Sequence, residues 1–93
     1  MKLRVEYMAQ LRAAAGCAHQ VVELPAGSSL ADLLAHLAGG FAESRSHLLT
    51  SSGQIQPSLL VVVNNTAVST RDAAVTELCD GDVITLLPPI AGG

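Results

Sequence analysis

The chain has 93 residues, 49% of them hydrophobic but only 2% aromatic, and its five basic and eight acidic side chains give a formal net charge of −3. That length fits one domain whose core is built from Leu, Val, Ile and Ala, and the composition is too apolar for a disordered chain. The basic residues Lys2, Arg4, Arg12, Arg45 and Arg71 are scattered and no aromatic platform accompanies them, which argues against nucleic acid as a partner.

Residues 2–8, KLRVEYM, alternate Leu3, Val5 and Tyr7 against Lys2, Arg4 and Glu6, the period of a half-buried strand. Charges interrupt this start, so it does not read as a signal peptide. AQLRAAAGCA then reads as a loop with a turn at Gly16, and HQVVEL, 19–24, as a second strand ended by Pro25-Ala26-Gly27. From Ser28 the period changes. Leu30, Leu33, Leu34, Leu37 and Phe41 recur on one helical face, Ser29 and Asp32 have the spacing of a capping box, and Gly39-Gly40 supply a stop.

Residues 42–57 are polar and irregular, a loop with one short turn. SLLVVVN, 58–64, is an unbroken β-branched run, as expected of a strand buried on both faces. Asn64-Asn65 suits a tight turn at positive φ before a short strand near Ala67-Val68. Asp80-Gly81 makes a second turn, launching DVITLL up to Leu87. The longest apolar run, Leu59 to Val63, is far too short to span a bilayer.

The order ββαβββ with one main helix predicts an α+β sandwich of two layers, a mixed sheet covered on one face. If the last strand lies beside the first, this is a β-grasp fold. The expected organisation is a domain over 1–87 and an extended tail over 88–93.

No internal cluster reads as an active site. His19, His36 and His47 lack ligand spacing, and Asp32 with His36 is equally an exposed i,i+4 pair, so no metal is expected. Cys17 has His19 two residues on, but an incidental thiol in a loop is the simpler reading. Cys17 and Cys79 lie far apart without a CxxC, consistent with reduced thiols in a cytoplasmic protein. Asp80 and Asp82 read as turn residues.

The last segment, LLPPIAGG, remains. Pro88 and Pro89 lack amide hydrogens, so the final strand stops at Leu87 and the backbone beyond is biased toward an extended form. At about 3.1 Å per residue, six extended residues reach about 19 Å. Gly92 and Gly93 carry no side chains and can enter a channel too narrow for other residues. A carboxylate on such an arm is a poor electrophile until ATP converts it to an acyl-adenylate, after which it is a transferable group.

The stretch VNNTAVSTRDAAVTELCDGDVITLLPPIAGG, residues 63–93, resembles the molybdopterin synthase small subunits among the ubiquitin-like sulfur carriers. The VNN turn, the Asp80-Gly81-Asp82 step, Pro88-Pro89 and Gly92-Gly93 carry the resemblance, and YMAQLR, 7–12, is a weaker echo. It implies a carrier and not a catalyst in its own right. An E1-like enzyme would adenylate Gly93, and sulfur from a donor would replace AMP to leave a C-terminal thiocarboxylate. The tail, aimed by Pro88, Pro89, Ile90 and Ala91, would enter the active site of a large subunit and pass sulfur to a cyclic pyranopterin monophosphate. An exposed apolar patch near Met8, Leu60, Val62, Ala67 and Leu87 is the expected docking surface.

Carriers for thiamine or cysteine biosynthesis and ubiquitin-like protein modifiers are the alternatives. Thiamine carriers are typically shorter and usually lack Pro-Pro, whereas cysteine-pathway carriers share Ala-Gly-Gly. With Lys2 its only lysine, the chain is ill suited to branching on itself.

Overall fold

The alternation at the N-terminus becomes strand β1, Lys2–Tyr7, with Leu3, Val5 and Tyr7 buried, in a computed structural model that describes residues 1–40 and 48–87. The chain then departs from the expected loop. Residues Gln10–Ala15 form a short helix, α1, which seats Leu11 and Ala15 in the core and closes at Gly16 in the left-handed conformation, φ 77°. An Ala-rich segment favours helix, but six residues make under two turns, too few for a period to show. Arg12 Nε donates to the Tyr7 carbonyl at 3.4 Å and Met8 N–H to that of Leu86 at 3.1 Å, so the YMAQLR stretch binds the end of β1 to its surroundings.

Strand β2 is His19–Glu23, and α2 is Leu30–Ala38. The capping box at α2 forms in both directions: Asp32 N–H donates to Ser29 Oγ at 3.2 Å, and Ser29 N–H to Asp32 Oδ2 at 2.9 Å. Leu30, Leu33, Leu34 and Leu37 are all buried. The helix ends at Gly39, which keeps right-handed geometry at φ −77°. Phe41, the expected end of this apolar face, lies outside the described residues.

The described part of the long loop makes a tight reversal with Leu49 bridged to Ile55, and Leu48 is fully buried. Strand β3, Leu60–Val63, and β4, Thr66–Val68, join through Asn64 and Asn65 at φ 50° and 70°. A 3-10 turn at Thr70–Asp72, unforeseen in the sequence, precedes β5, Val83–Leu87.

The sheet runs β2-β1-β5-β3-β4. β5 lies parallel to β1 and antiparallel to β3, and the outer pairs are antiparallel. The last strand thus lies beside the first, as the ubiquitin-like β-grasp requires. Leu3, Val5, Tyr7, Val61, Ile84 and Leu86 form the inner face and meet the leucines of α2, while Val63 and Val83 are half-buried. One expectation fails here. β3 is buried on one face only, and Leu60 is 47% exposed. The helices occupy one side of the sheet, so no described element covers the alternate residues of β3.

Candidate functional site

The outer face of the sheet divides into two halves. Lys2, Arg4 and Glu6 of β1 make one half polar, with Arg4 Nε 3.2 Å from Glu6 Oε2 and Thr85 Oγ1 donating to Glu6 Oε1 at 3.5 Å. That ion pair is solvated and adds little stability. The other half is apolar. Leu60 pairs in register with Leu87, and Val62 lies between Ala67 and Thr85. Opposed residues of neighbouring strands share a face, so Leu60, Val62, Ala67 and Leu87 point to the same side.

These four residues, with Pro57 and Val68, line a shallow groove of about 410 Å³. Met8 is not in its lining. One step beyond the Tyr7–Leu86 pair, Met8 falls beside Leu87, 38% exposed at the groove's rim. Pro57 and Val68 carry no sequence signal, because each becomes part of the groove only through the pairing of β3 with β4. Leu87 has a double position, closing the groove and leading directly into Pro88. The tail residues Pro88, Pro89, Ile90, Ala91, Gly92 and Gly93 lie outside the described residues.

The polar motifs gather at the opposite end of the sheet. Asp82 accepts from Asn64 Nδ2 at 2.8 Å and from the Cys79 N–H at 2.8 Å, and Asn64 Oδ1 accepts the Val83 N–H at 2.9 Å. Asp80 Oδ1 accepts the Lys2 N–H at 2.7 Å, and the Gly81 N–H, at φ 87°, reaches the Lys2 carbonyl at 2.8 Å. Only a residue tolerant of positive φ suits position 81. Asp80 and Asp82 are therefore turn residues whose carboxylates bind backbone and amide groups.

The candidates for other chemistry are dispersed. Cys17 Sγ lies 3.8 Å from Gln20 Oε1, where it donates a weak hydrogen bond, and both Cys17 and Cys79 are free. Among the described residues, no three His, Cys, Asp or Glu side chains come together, and His47 lies outside them. Among the described residues, Tyr7 has a displaced titration. Burial, and then the nearby Cys17, push its hydroxyl up to about 12. Among the described residues no helix is long and apolar enough to cross a membrane.

A mixed five-stranded sheet with parallel first and last strands, helices on one face and an open apolar groove beside the C-terminal strand defines a ubiquitin-like β-grasp protein. The ThiS family matches residues 5–93, and the chain belongs to that family of ubiquitin-like sulfur carriers. It is 27% identical over 93 residues, all of both chains, to small archaeal modifier protein 3 of Haloferax volcanii. The crystal structure of SAMP1 from Haloferax volcanii superposes with a TM-score of 0.88 at 24% identity over 100% of both chains, a likeness of fold. A protein described as molybdopterin converting factor subunit 1 from Pyrococcus furiosus gives a TM-score of 0.75 and 26% identity over 97% of this chain and 99% of that one.

Proposed function

We propose that the chain is the sulfur-carrying small subunit of a molybdopterin synthase. An E1-like enzyme uses ATP to join the Gly93 carboxylate to AMP with release of pyrophosphate. Sulfide from a donor displaces AMP and leaves the thiocarboxylate. The groove of Leu60, Val62, Ala67 and Leu87 docks on the large subunit, and the segment from Pro88 to Gly93 delivers sulfur to a pyranopterin in that partner's active site. The observation that carries this reading is the place of Leu87, which lines the apolar groove and is the residue from which Pro88 continues. Docking at the groove would set the tail's origin at the partner's surface without any further element.

A second reading, a modifier joined to lysines of other proteins, is favoured by the 27% identity to small archaeal modifier protein 3. Both readings begin with adenylation and differ in the acceptor. Incubation with the adenylating enzyme, ATP and a sulfur donor should add about 16 Da, the replacement of one oxygen by sulfur after acyl activation. The thiolated chain, mixed with a molybdopterin synthase large subunit and cyclic pyranopterin monophosphate, should then form the dithiolene and return to its starting mass. A thiolated chain that leaves the pterin unchanged but appears in isopeptide linkage to lysines overturns the first reading in favour of the second.

A further inference from the structure

The free edge of β2 has a self-complementary pattern. Met1 and Leu24 exchange both backbone bonds, at 2.7 and 3.0 Å, and the Tyr7 N–H reaches the Ala18 carbonyl at 2.9 Å. Bonding alternates along an antiparallel pair, so Gln20 and Val22 bond to β1 while the N–H and C=O groups of His19, Val21 and Glu23 point away from it. No described residue bonds to those outward groups. The edge has no proline, bulge or lysine within His19–Glu23 to oppose pairing. The side chain of Val21 is 66% exposed at its centre. The opposite edge, β4, offers only three residues between two turns.

We propose that β2 is a homodimerisation edge, on which two copies pair antiparallel about Val21 and merge their five-stranded sheets into one. In that register every outward N–H meets an outward C=O. Val21 lies against Val21 of the second copy, and His19 of each copy stands opposite Glu23 of the other. A shift of two residues in either direction loses the Val21 contact and both His–Glu pairs. The two-fold axis runs perpendicular to the sheet, so the contact is isologous and closed. Both grooves stay uncovered, because β2 and β4 are opposite edges. A contact of five residues per copy is smaller than a standard interface, so association is expected at about 0.1–1 mM chain.

Sedimentation equilibrium over that range tests the edge. The apparent mass should rise from 9.5 kDa toward twice that value. Val21→Lys, which places two ammonium groups at the axis, should remain monomeric with an unchanged melting temperature. His19→Glu alone should be monomeric, with Glu against Glu, and Glu23→Lys alone should dimerise more weakly than the parent, because His19 then has no carboxylate opposite it. An equimolar mixture of the two should dimerise, since every cross pair is then His–Glu or Glu–Lys. In a Cys17→Ser, Cys79→Ser background, Val21→Cys should cross-link on mild oxidation, because opposed Cα atoms about 5.5 Å apart suit a disulfide. A monomer throughout with no cross-link overturns the proposal. So does a dimer that survives Val21→Lys but is lost with Leu60→Glu, which would place the contact in the groove.

Discussion

Asn64 and Asp82, 18 residues apart in sequence, are joined by a hydrogen bond of 2.8 Å from Asn64 Nδ2 to Asp82 Oδ1. Through it the turn after β3 is tied to the turn before β5. Asn64 also exchanges bonds with the backbone of Val83, donating its N–H to the carbonyl and accepting the Val83 N–H on Oδ1, each at 2.9 Å. The motifs that carry the family resemblance inside the domain thus hold the end of the sheet away from the tail. They fix the start of β5, the strand that ends at Leu87.

This clasp predicts a stability cost without a chemical one. Asn64→Gly keeps the positive φ and loses the side-chain bonds, which should cost about 1–3 kcal/mol in urea unfolding. Asn64→Ala should cost about 1 kcal/mol more, since φ 50° then strains a Cβ-bearing residue without a compensating bond. Thiocarboxylation of the folded fraction should match that of the parent chain. A selective loss of thiolation would give the clasp a part in recognition by the adenylating enzyme.

Replacing an exposed groove residue should separate binding from folding. Leu60→Glu puts a charge on a half-exposed position and should leave the melting temperature within about 3 °C, as surface changes usually do. Affinity for the large subunit should fall at least about tenfold, because a carboxylate would be desolvated in an apolar contact. Titration calorimetry of both chains reads this directly. Unchanged affinity moves the docking surface off the groove.

The tail should show the reverse pattern. Deleting Gly93, or adding one residue after it, should abolish adenylation, because the carboxylate is then displaced by a residue's length. Gly92→Ala should slow turnover through a Cβ in a narrow channel. None of these changes should move the melting temperature. If the variants are thiolated and deliver sulfur as well as the parent, the two glycines have no such function.

Tyr7 makes the fold sensitive to alkali. Its hydroxyl titrates at about 12 in the folded protein against 10.0 ordinarily, so the folded state holds the proton more tightly than the unfolded chain. The resulting stability is complete below pH 10 and is lost as pH rises from 10 toward 12, to a total of about 2–3 kcal/mol. Tyr7→Phe should flatten that part of the stability profile. Urea midpoints at pH 9 and 11 for both chains measure the difference, and equal slopes would rule out Tyr7 as the source.

The sequence revealed most where a signal was local. Four leucines at helical spacing after the Ser29 cap specify α2, and Asn64-Asn65 and Gly81 mark their turns because few residues accept positive φ. Strand order is another matter, since the pairing of β1 with β5 joins opposite ends of the chain. The run LLVVV carries no alternation and reads as buried on both faces. Its exposed side depends on a global fact, that the helices lie on one face of the sheet. Of the expected docking residues, Leu60, Val62, Ala67 and Leu87 converge because register places them on one side, while Met8 lies at the rim. Pro57 and Val68 were not legible, as their neighbours are set by the β3–β4 pairing and the loop before it.

The central position of β5 also bears on synthesis. Glu6 and Thr85 meet across 79 residues, and β5 fills the gap between β1 and β3. A nascent chain interrupted before Val83 has two strands with open inner edges and a core without Ile84 and Leu86. Long-range closure of this kind is slow and comes late in folding. The domain is therefore completed by the very segment that leads into Pro88, and a prematurely terminated copy has no finished sheet. An adenylating enzyme that grips the completed sheet would, by that contact alone, pass over incomplete chains.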